Sequence, residues 1–258
     1  MTNPMFRRLL QSSALASTLL AASVQAESYP EPIQALEEQG VSVVESFEAP
    51  GGMTGYVGEI QGRSLAFYLT PDGDHVIVGT LLDKDGQNLS KASIDELVTG
   101  PKFAEAWPEL EESNWVRDGA EDADTIVYTF TDPNCPYCHR FREQAKPWIE
   151  AGKVQLRHIM VGILKEDSLT KAATILGSDN PEEALKEHQS RYRQGGIDVD
   201  RQKVSNAHLD VKANNQLMQK LGLQATPSTI YKTDDGKVQM VQGLPNPQAI
   251  ERMFGARP

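Results

Sequence analysis

Residues 132–141 read DPNCPYCHRF and hold both cysteines of the chain, Cys135 and Cys138, with His139 directly after them. Two chemistries use this spacing. A C-x-x-C pair is a redox dithiol, whereas C-x-x-C-H is a c-type haem attachment site, in which two thiols form thioethers and the histidine ligates iron. The neighbouring sequence discriminates between them. Upstream, TIVYTFT (125–131) has the β-branched and aromatic content of a buried strand. Downstream, Pro136 suits the first helical position, and a helix is predicted from Pro136 to Ala151, with a kink at Pro147. VQLRHIMVG (154–162) is a second strand. Strand, helix and strand in this order make a right-handed crossover between two parallel strands. Haem held through C-x-x-C-H calls instead for a pocket and commonly a second axial ligand, usually in a small helical protein.

This context puts Cys135 at or beside the helix N-cap. The unpaired N–H groups and the helix dipole stabilise an anion there. That lowers a thiol's pKa and makes it the better nucleophile. Cys138 lies one turn on, nearer the helix interior, and is expected to be the shielded, resolving thiol. The alternatives are an unreactive buried pair or an inert structural disulfide. A disulfide closing so short a loop removes little unfolded-state entropy, so chemistry is the stronger reason for the pair. His139 reads as a surface residue of the first turn. His75, His158, His188 and His208 form no ligand cluster in the sequence, and neither a metal nor another cofactor is expected.

Further along, residues 163–222 read as helical. Asn180-Pro181-Glu182-Glu183 is a helix start, with a cap residue, a first-turn proline and acids at the positive end. PSTIYKT (227–233) and KVQMVQG (237–243), joined by DDG, form an antiparallel hairpin, and Asn246-Pro247 opens a last helix. Thr226-Pro227 opens the first hairpin strand, where a proline need not donate to the ladder. That bond is a candidate cis bond, with a plain trans strand-start proline as the other reading.

Before the motif, residues 27–40 read as a short helix. The runs 41–47, 54–60, 63–70 and 75–82 read as strands separated by turn residues. This antiparallel meander is small and has exposed edges, so it is expected to dimerise; packing of a monomeric sheet on the second domain is the alternative. Residues 91–120 read as a connector. Phe103, Ala106, Trp107 and Leu110 recur there at helical spacing, interrupted by Pro101 and Pro108, and GAEDAD (119–124) forms a polar joint.

The first 26 residues are set aside as a targeting segment. A basic start at Arg7 and Arg8, an apolar stretch from Leu9 to Val24 and the ending V-Q-A predict a signal peptide cleaved after Ala26. The whole chain has 25 basic and 36 acidic residues, net −11. Losing Arg7 and Arg8 makes it more acidic still, which argues against a nucleic-acid partner.

CPYC after a strand, a helical insert, then Thr-Pro opening an antiparallel hairpin resembles a thioredoxin fold. With the export signal and the N-terminal sheet, the chain resembles the periplasmic DsbC/DsbG disulfide isomerase family. FEAPGGMTGYVG (47–58), YLTPDG (68–73), GKVQLRHIMVG (152–162) and VQGLP (241–245) carry that likeness across the chain, and having two cysteines suits the branch without a second pair. The resemblance implies a cystatin-like α+β dimerisation domain (27–90), a linker helix (91–120) and a C-terminal thioredoxin fold (121–258) with a helical insertion at about 163–222. It implies Cys135 as nucleophile, Cys138 as resolving thiol, and Thr226 and Pro227 as a cis-proline loop that contacts substrate, with Pro136 and Tyr137 supporting. Asn134 departs from the aromatic residue or threonine common in relatives. The implied partners are client proteins with disulfides or oxidised cysteines, a DsbD-type membrane reductase and a second copy of the chain. A DsbA-like oxidase and a holdase chaperone remain the rival functions, with haem binding a lesser one.

Overall fold

The structure, a computed structural model, describes residues 28–258. The expected leader, residues 1–26, lies outside them. Helix α1 (Glu31–Glu38) is followed by strands β1 (Ser42–Glu48), β2 (Thr54–Ile60), β3 (Arg63–Leu69) and β4 (Val76–Val78), which form an antiparallel sheet in sequence order. Side chains alternate across each strand. In β3, Phe67 and Leu69 therefore join Ile33 of α1, Val41 and Tyr56 on one face, while Ala66 and Tyr68 meet Ala49 on the other. Strand β4 is shorter than its hydrophobic run. It pairs only through Val76, Ile77 and Val78, and leaves Ile77, Val78 and the following Leu82 exposed.

The connector is more structured than its sequence suggests. It contains α2 (Leu89–Ile94), a π turn (Asp95–Thr99), α3 (Gly100–Glu105) and α4 (Trp107–Glu112). Pro101 and Pro108 sit in the first turns of α3 and α4, where a missing N–H costs nothing. The next residues, Trp115–Asp118, read from the sequence as the end of a connector, form strand β5. It pairs antiparallel with β7 (Val154–Met160) and is the edge of a second sheet.

That sheet has the order β5-β7-β6-β8-β9, with β6 (Thr125–Thr131), β8 (Ser228–Lys232) and β9 (Val238–Gln242). β6 and β7 are parallel and flank the crossover helix α5 (Pro136–Glu150); the remaining pairs are antiparallel. One face carries Val127, Leu156 and Tyr231 against Phe141 and Trp148 of α5 and Ile250 and Phe254 of α9 (Pro247–Phe254). The other carries Tyr128, Phe130, Ile159 and Ile230 against Phe103, Trp107 and Leu110. The helical periodicity in the connector thus marks a face buried on the second sheet. Helices α6 (Ser168–Leu176), α7 (Pro181–Ser190) and α8 (Arg201–Lys220) form the insert and share a third core with Val116 and Met160. Asn180 caps α7 by accepting from the Glu183 N–H, as its sequence predicts.

Candidate active site

β6 delivers the chain to the N-terminus of α5, and Cys135 is its N-cap residue, with extended backbone (φ −81°, ψ 112°). Its Sγ accepts the Cys138 N–H at 3.1 Å. Protonated, it donates to the Thr226 carbonyl at 3.3 Å. Residues 91 positions apart thus meet at one sulfur. The Thr226–Pro227 bond is cis. Both cysteines are free thiols and both are buried, each 2% exposed. Pro136 and Tyr137 are exposed at the helix start.

The two thiols are electrostatically unequal. Cys135 is lowered from 9.0 to about 7, first through the hydrogen bond from the Cys138 thiol. Burial opposes that shift, and the Thr226 side chain and the N–H groups of Cys138 and Tyr137 add to it. Cys138 is pushed up, by burial first and by its neighbour Cys135 second. One sulfur is prepared to be an anion and the other to keep its proton.

The loop that aims Cys135 is held by the helical insert. Asp132, 1% exposed, accepts four hydrogen bonds: from the Asn134 N–H and Ser168 Oγ on one oxygen, and from the Ile163 and Leu164 N–H groups on the other. Buried carboxylates persist where each oxygen is satisfied in this way. The Asn134 amide donates to Asp167 (2.8 Å) and Ser168 (2.9 Å), and its oxygen accepts from Lys171 (3.1 Å). The Pro133 carbonyl accepts from His188 Nε2 at 2.9 Å, while His188 Nδ1 accepts the Ile197 N–H. Those two bonds define a neutral imidazole, and burial lowers its pKa accordingly. The Asn134 carbonyl accepts from the Tyr192 hydroxyl at 3.3 Å. The two carbonyls just before Cys135, those of Pro133 and Asn134, thus have partners 55 and 58 residues away.

Three features depart from the sequence reading or were missed by it. His139 is half-buried, not a surface residue: its ring stacks on Tyr192 (centroids 4.3 Å apart, planes at 8°) and Nδ1 meets Gln189 Oε1 at 2.7 Å. The Asp132, Asn134, His188 and Tyr192 framework had no sequence signal beyond the polar DPN run. Beneath α5, His158 bridges Thr131 (2.9 Å) and Asp118 (3.6 Å), and Asp118 also accepts from Arg142 Nε at 2.8 Å.

Gly162 closes β7 onto this framework. Its N–H donates to Asn215 Oδ1, and an added Cβ would lie 2.3 Å from Leu169 Cα. That neighbour is backbone and cannot rotate away. Gly162→Ala is expected to destabilise the fold by about 1–3 kcal/mol through overpacking, read as a lower urea midpoint with an unchanged slope. An unchanged midpoint would show that the insert yields.

Residues 117–257 match a family profile described as a thioredoxin-like domain, and residues 20–91 match the disulfide bond isomerase protein N-terminal domain. The chain is 42% identical over 252 residues to a thiol:disulfide interchange protein DsbG of Pseudomonas aeruginosa, covering 97% of this chain and 98% of that one. It is 39% identical over 238 residues to the DsbG of Escherichia coli (92% and 96% covered). It is 27% identical over 236 residues to a DsbC of Dickeya dadantii (86% and 85%).

Proposed function

Since the chain belongs to the DsbC/DsbG family of thiol:disulfide interchange proteins, we propose that it is a periplasmic disulfide isomerase and reductase in which Cys135 attacks and Cys138 resolves. The observation that carries this reading is the asymmetry of the pair: Cys135 caps α5 and is lowered to about 7, while its partner is held protonated. The Cys135 thiolate attacks one sulfur of a client disulfide. A bond to Cys135 forms, the client S–S bond breaks, and the departing thiolate takes up a proton. If a client thiolate then attacks the mixed disulfide, the client bond is rearranged without net electron transfer. If Cys138 attacks instead, Cys135 and Cys138 become a disulfide and the client gains two electrons.

The same thiolate can attack a client sulfenic acid, with the S–OH oxygen leaving as water and Cys138 resolving the mixed disulfide. Either reductive route leaves the protein oxidised, so a membrane reductase of the DsbD type is the expected source of electrons. Thr226 and Pro227 border the sulfur and are assigned to client contact, with Pro136 and Tyr137 as the exposed rim. Residues 1–26 serve as the export signal, cleaved after Ala26. The N-terminal sheet serves as a homodimer interface, a role supported by the exposed Ile77, Val78 and Val44 at its edges. A dimer enclosing a cleft suits holdase activity as a second capacity.

A DsbA-like oxidase shares the mechanism but runs it from the disulfide state. The haem reading loses ground because His139 is engaged by Tyr192 and Gln189. The deciding experiment is the redox state of the pair in living cells, by acid quench and labelling with a heavy maleimide. Two labels per chain are expected. A chain without labels would be an oxidase, or a haem thioether that the Soret band would reveal, and the isomerase reading would fall.

A further inference from the structure

We propose that a cationic groove beside the thiol pair docks an acidic segment of the client, next to the cysteine under attack. This rests on the exchange reading above and names a client feature that the reading leaves open.

The groove lies between α5 and the end of α7 with the turn Tyr192–Gln194. It consists of two adjoining hollows of about 510 and 400 Å³ that share His139, Glu143, Tyr192 and Arg193. It begins at Pro136, the residue after Cys135, and runs along α5 to Lys146. Ten residues of helix span roughly 15 Å, the length of four or five residues of extended chain. The floor is the stacked pair of His139 and Tyr192, pinned through Gln189 and the Asn134 carbonyl. A pinned aromatic floor costs little ordering entropy when a peptide settles on it.

The charge of this groove is opposite to that of the chain. Overall there are 36 acidic and 25 basic residues. Lining the groove are Arg140, Arg142, Lys146, Lys186 and Arg193, with Glu143 as the single acid. Arg142 is committed to Asp118. Lys146 and Lys186 make only long pairs with acids, at 3.7 and 3.8 Å. The ion pairs of arginine among the described residues belong to Arg117, Arg142 and Arg191, which leaves Arg140 and Arg193 without a carboxylate. Both are exposed. An arginine fork is suited to a carboxylate in two-point contact. The cations are spaced along the groove instead of converging on one point, which matches a chain bearing several carboxylates and not a single small anion. The Cys135 end of the groove brings the client disulfide to the sulfur while its acidic flank lies along α5. Charge complementarity of this kind acts mainly on the encounter rate.

The test uses the full-length reduced protein and three peptides with the same ring disulfide, tailed with aspartate and glutamate, with lysine and arginine, or with serine. Quenched mass spectrometry reads the second-order rate of disulfide transfer to the protein. At low salt the acidic tail is expected to react about tenfold faster than the basic one. That ratio should fall toward one near 0.5 M salt, where screening reaches only a few ångströms. The double variant R140E/R193E should reverse the preference. If that variant fails to fold, Arg140→Gln and Arg193→Gln, made singly, should each reduce the ratio. Equal rates for the two tails in the unmodified protein, or a ratio that no groove variant alters, overturns the proposal. Fluorescence polarisation of the acidic tail without its disulfide reads docking separately from chemistry. Transfer from no peptide combined with salt-sensitive docking would sink the exchange reading and leave the groove standing; transfer without a tail preference would do the reverse.

Discussion

Protein carrying Cys135→Ala is expected to lose disulfide exchange altogether, while Cys138→Ala is expected to accumulate mixed disulfides with its clients. The first removes the only sulfur lowered toward neutrality; the second leaves an attacking thiolate with no internal thiol to release it. The size of the advantage at Cys135 follows from its shift. At pH 7 a thiol at 9.0 is about 1% thiolate and one at about 7 is half thiolate, a gain of roughly fiftyfold. Lower basicity takes back about eightfold in intrinsic nucleophilicity, leaving about sixfold in rate. Carboxamidomethylation of Cys135 should therefore rise with pH through about 7 and level off above it, with Cys138 unlabelled over the same range. The raised Cys138 also sets the balance between products. If burial keeps that proton in place, the mixed disulfide is expected to last long enough for a client thiolate to attack it, which favours rearrangement over reduction. Cys138→Ala should consequently keep part of its isomerase activity with scrambled ribonuclease but lose catalytic reduction of insulin. Full insulin reduction by that variant would remove Cys138 from the resolving role.

The parts of the site carried by local rules could be read in advance. A strand followed by Cys-Pro announces a helix N-terminus, and that places Cys135 at the cap where its Sγ is found. The limits of strands β2 and β6 are legible in the sequence, because turn residues or the motif itself bound them on each side. Thr226-Pro227 is legible as the start of a strand, where a proline need not donate to the ladder, but its cis bond follows only from the family resemblance. Strand β5 was lost for the converse reason. WVRD has four residues and too little alternation to register, and it becomes a strand only because the outer edge of β7 pairs with it and buries Val116 and Asp118. From the sequence His139 looks like a surface residue, because nothing within one helical turn explains its burial. Its partners, Gln189 and Tyr192, arrive from 50 and more residues away. The same holds for Asp132, Asn134 and His188. Hydrogen bonds between an insert and a loop leave no period in the sequence, so the framework that positions Cys135 becomes visible only in three dimensions.

Asp118→Asn is expected to be the most damaging substitution away from the sulfurs, at about 3–5 kcal/mol near neutral pH. Asp118 is 4% exposed and grips Arg142 with both oxygens, at 2.8 and 3.3 Å. Burial alone would raise its pKa, but His158 and Arg142 outweigh it and hold the carboxyl well below the usual range. The amide would leave the guanidinium, largely buried on α5, with only the longer pair to the exposed Glu143 at 3.5 Å, and a charge so placed costs far more than the pair contributes. The pH dependence has a definite sign. A carboxyl with a depressed folded pKa stabilises the fold fully above its unfolded value, about 3.9, and loses that contribution as pH falls toward the folded value. The gap between wild type and Asp118→Asn in urea midpoint should thus be widest at pH 7, remain wide at pH 5 and narrow below pH 4. Adding Arg142→Met should recover part of the loss, because it removes the stranded charge and leaves only a neutral amide at position 118 to be satisfied. Arg142 lies one turn beyond Cys138 on α5, so this pair ties the active-site helix to edge strand β5. If Asp118→Asn costs less than 1 kcal/mol at pH 7, or the double variant is no better than the single, the helix is held by its apolar face alone.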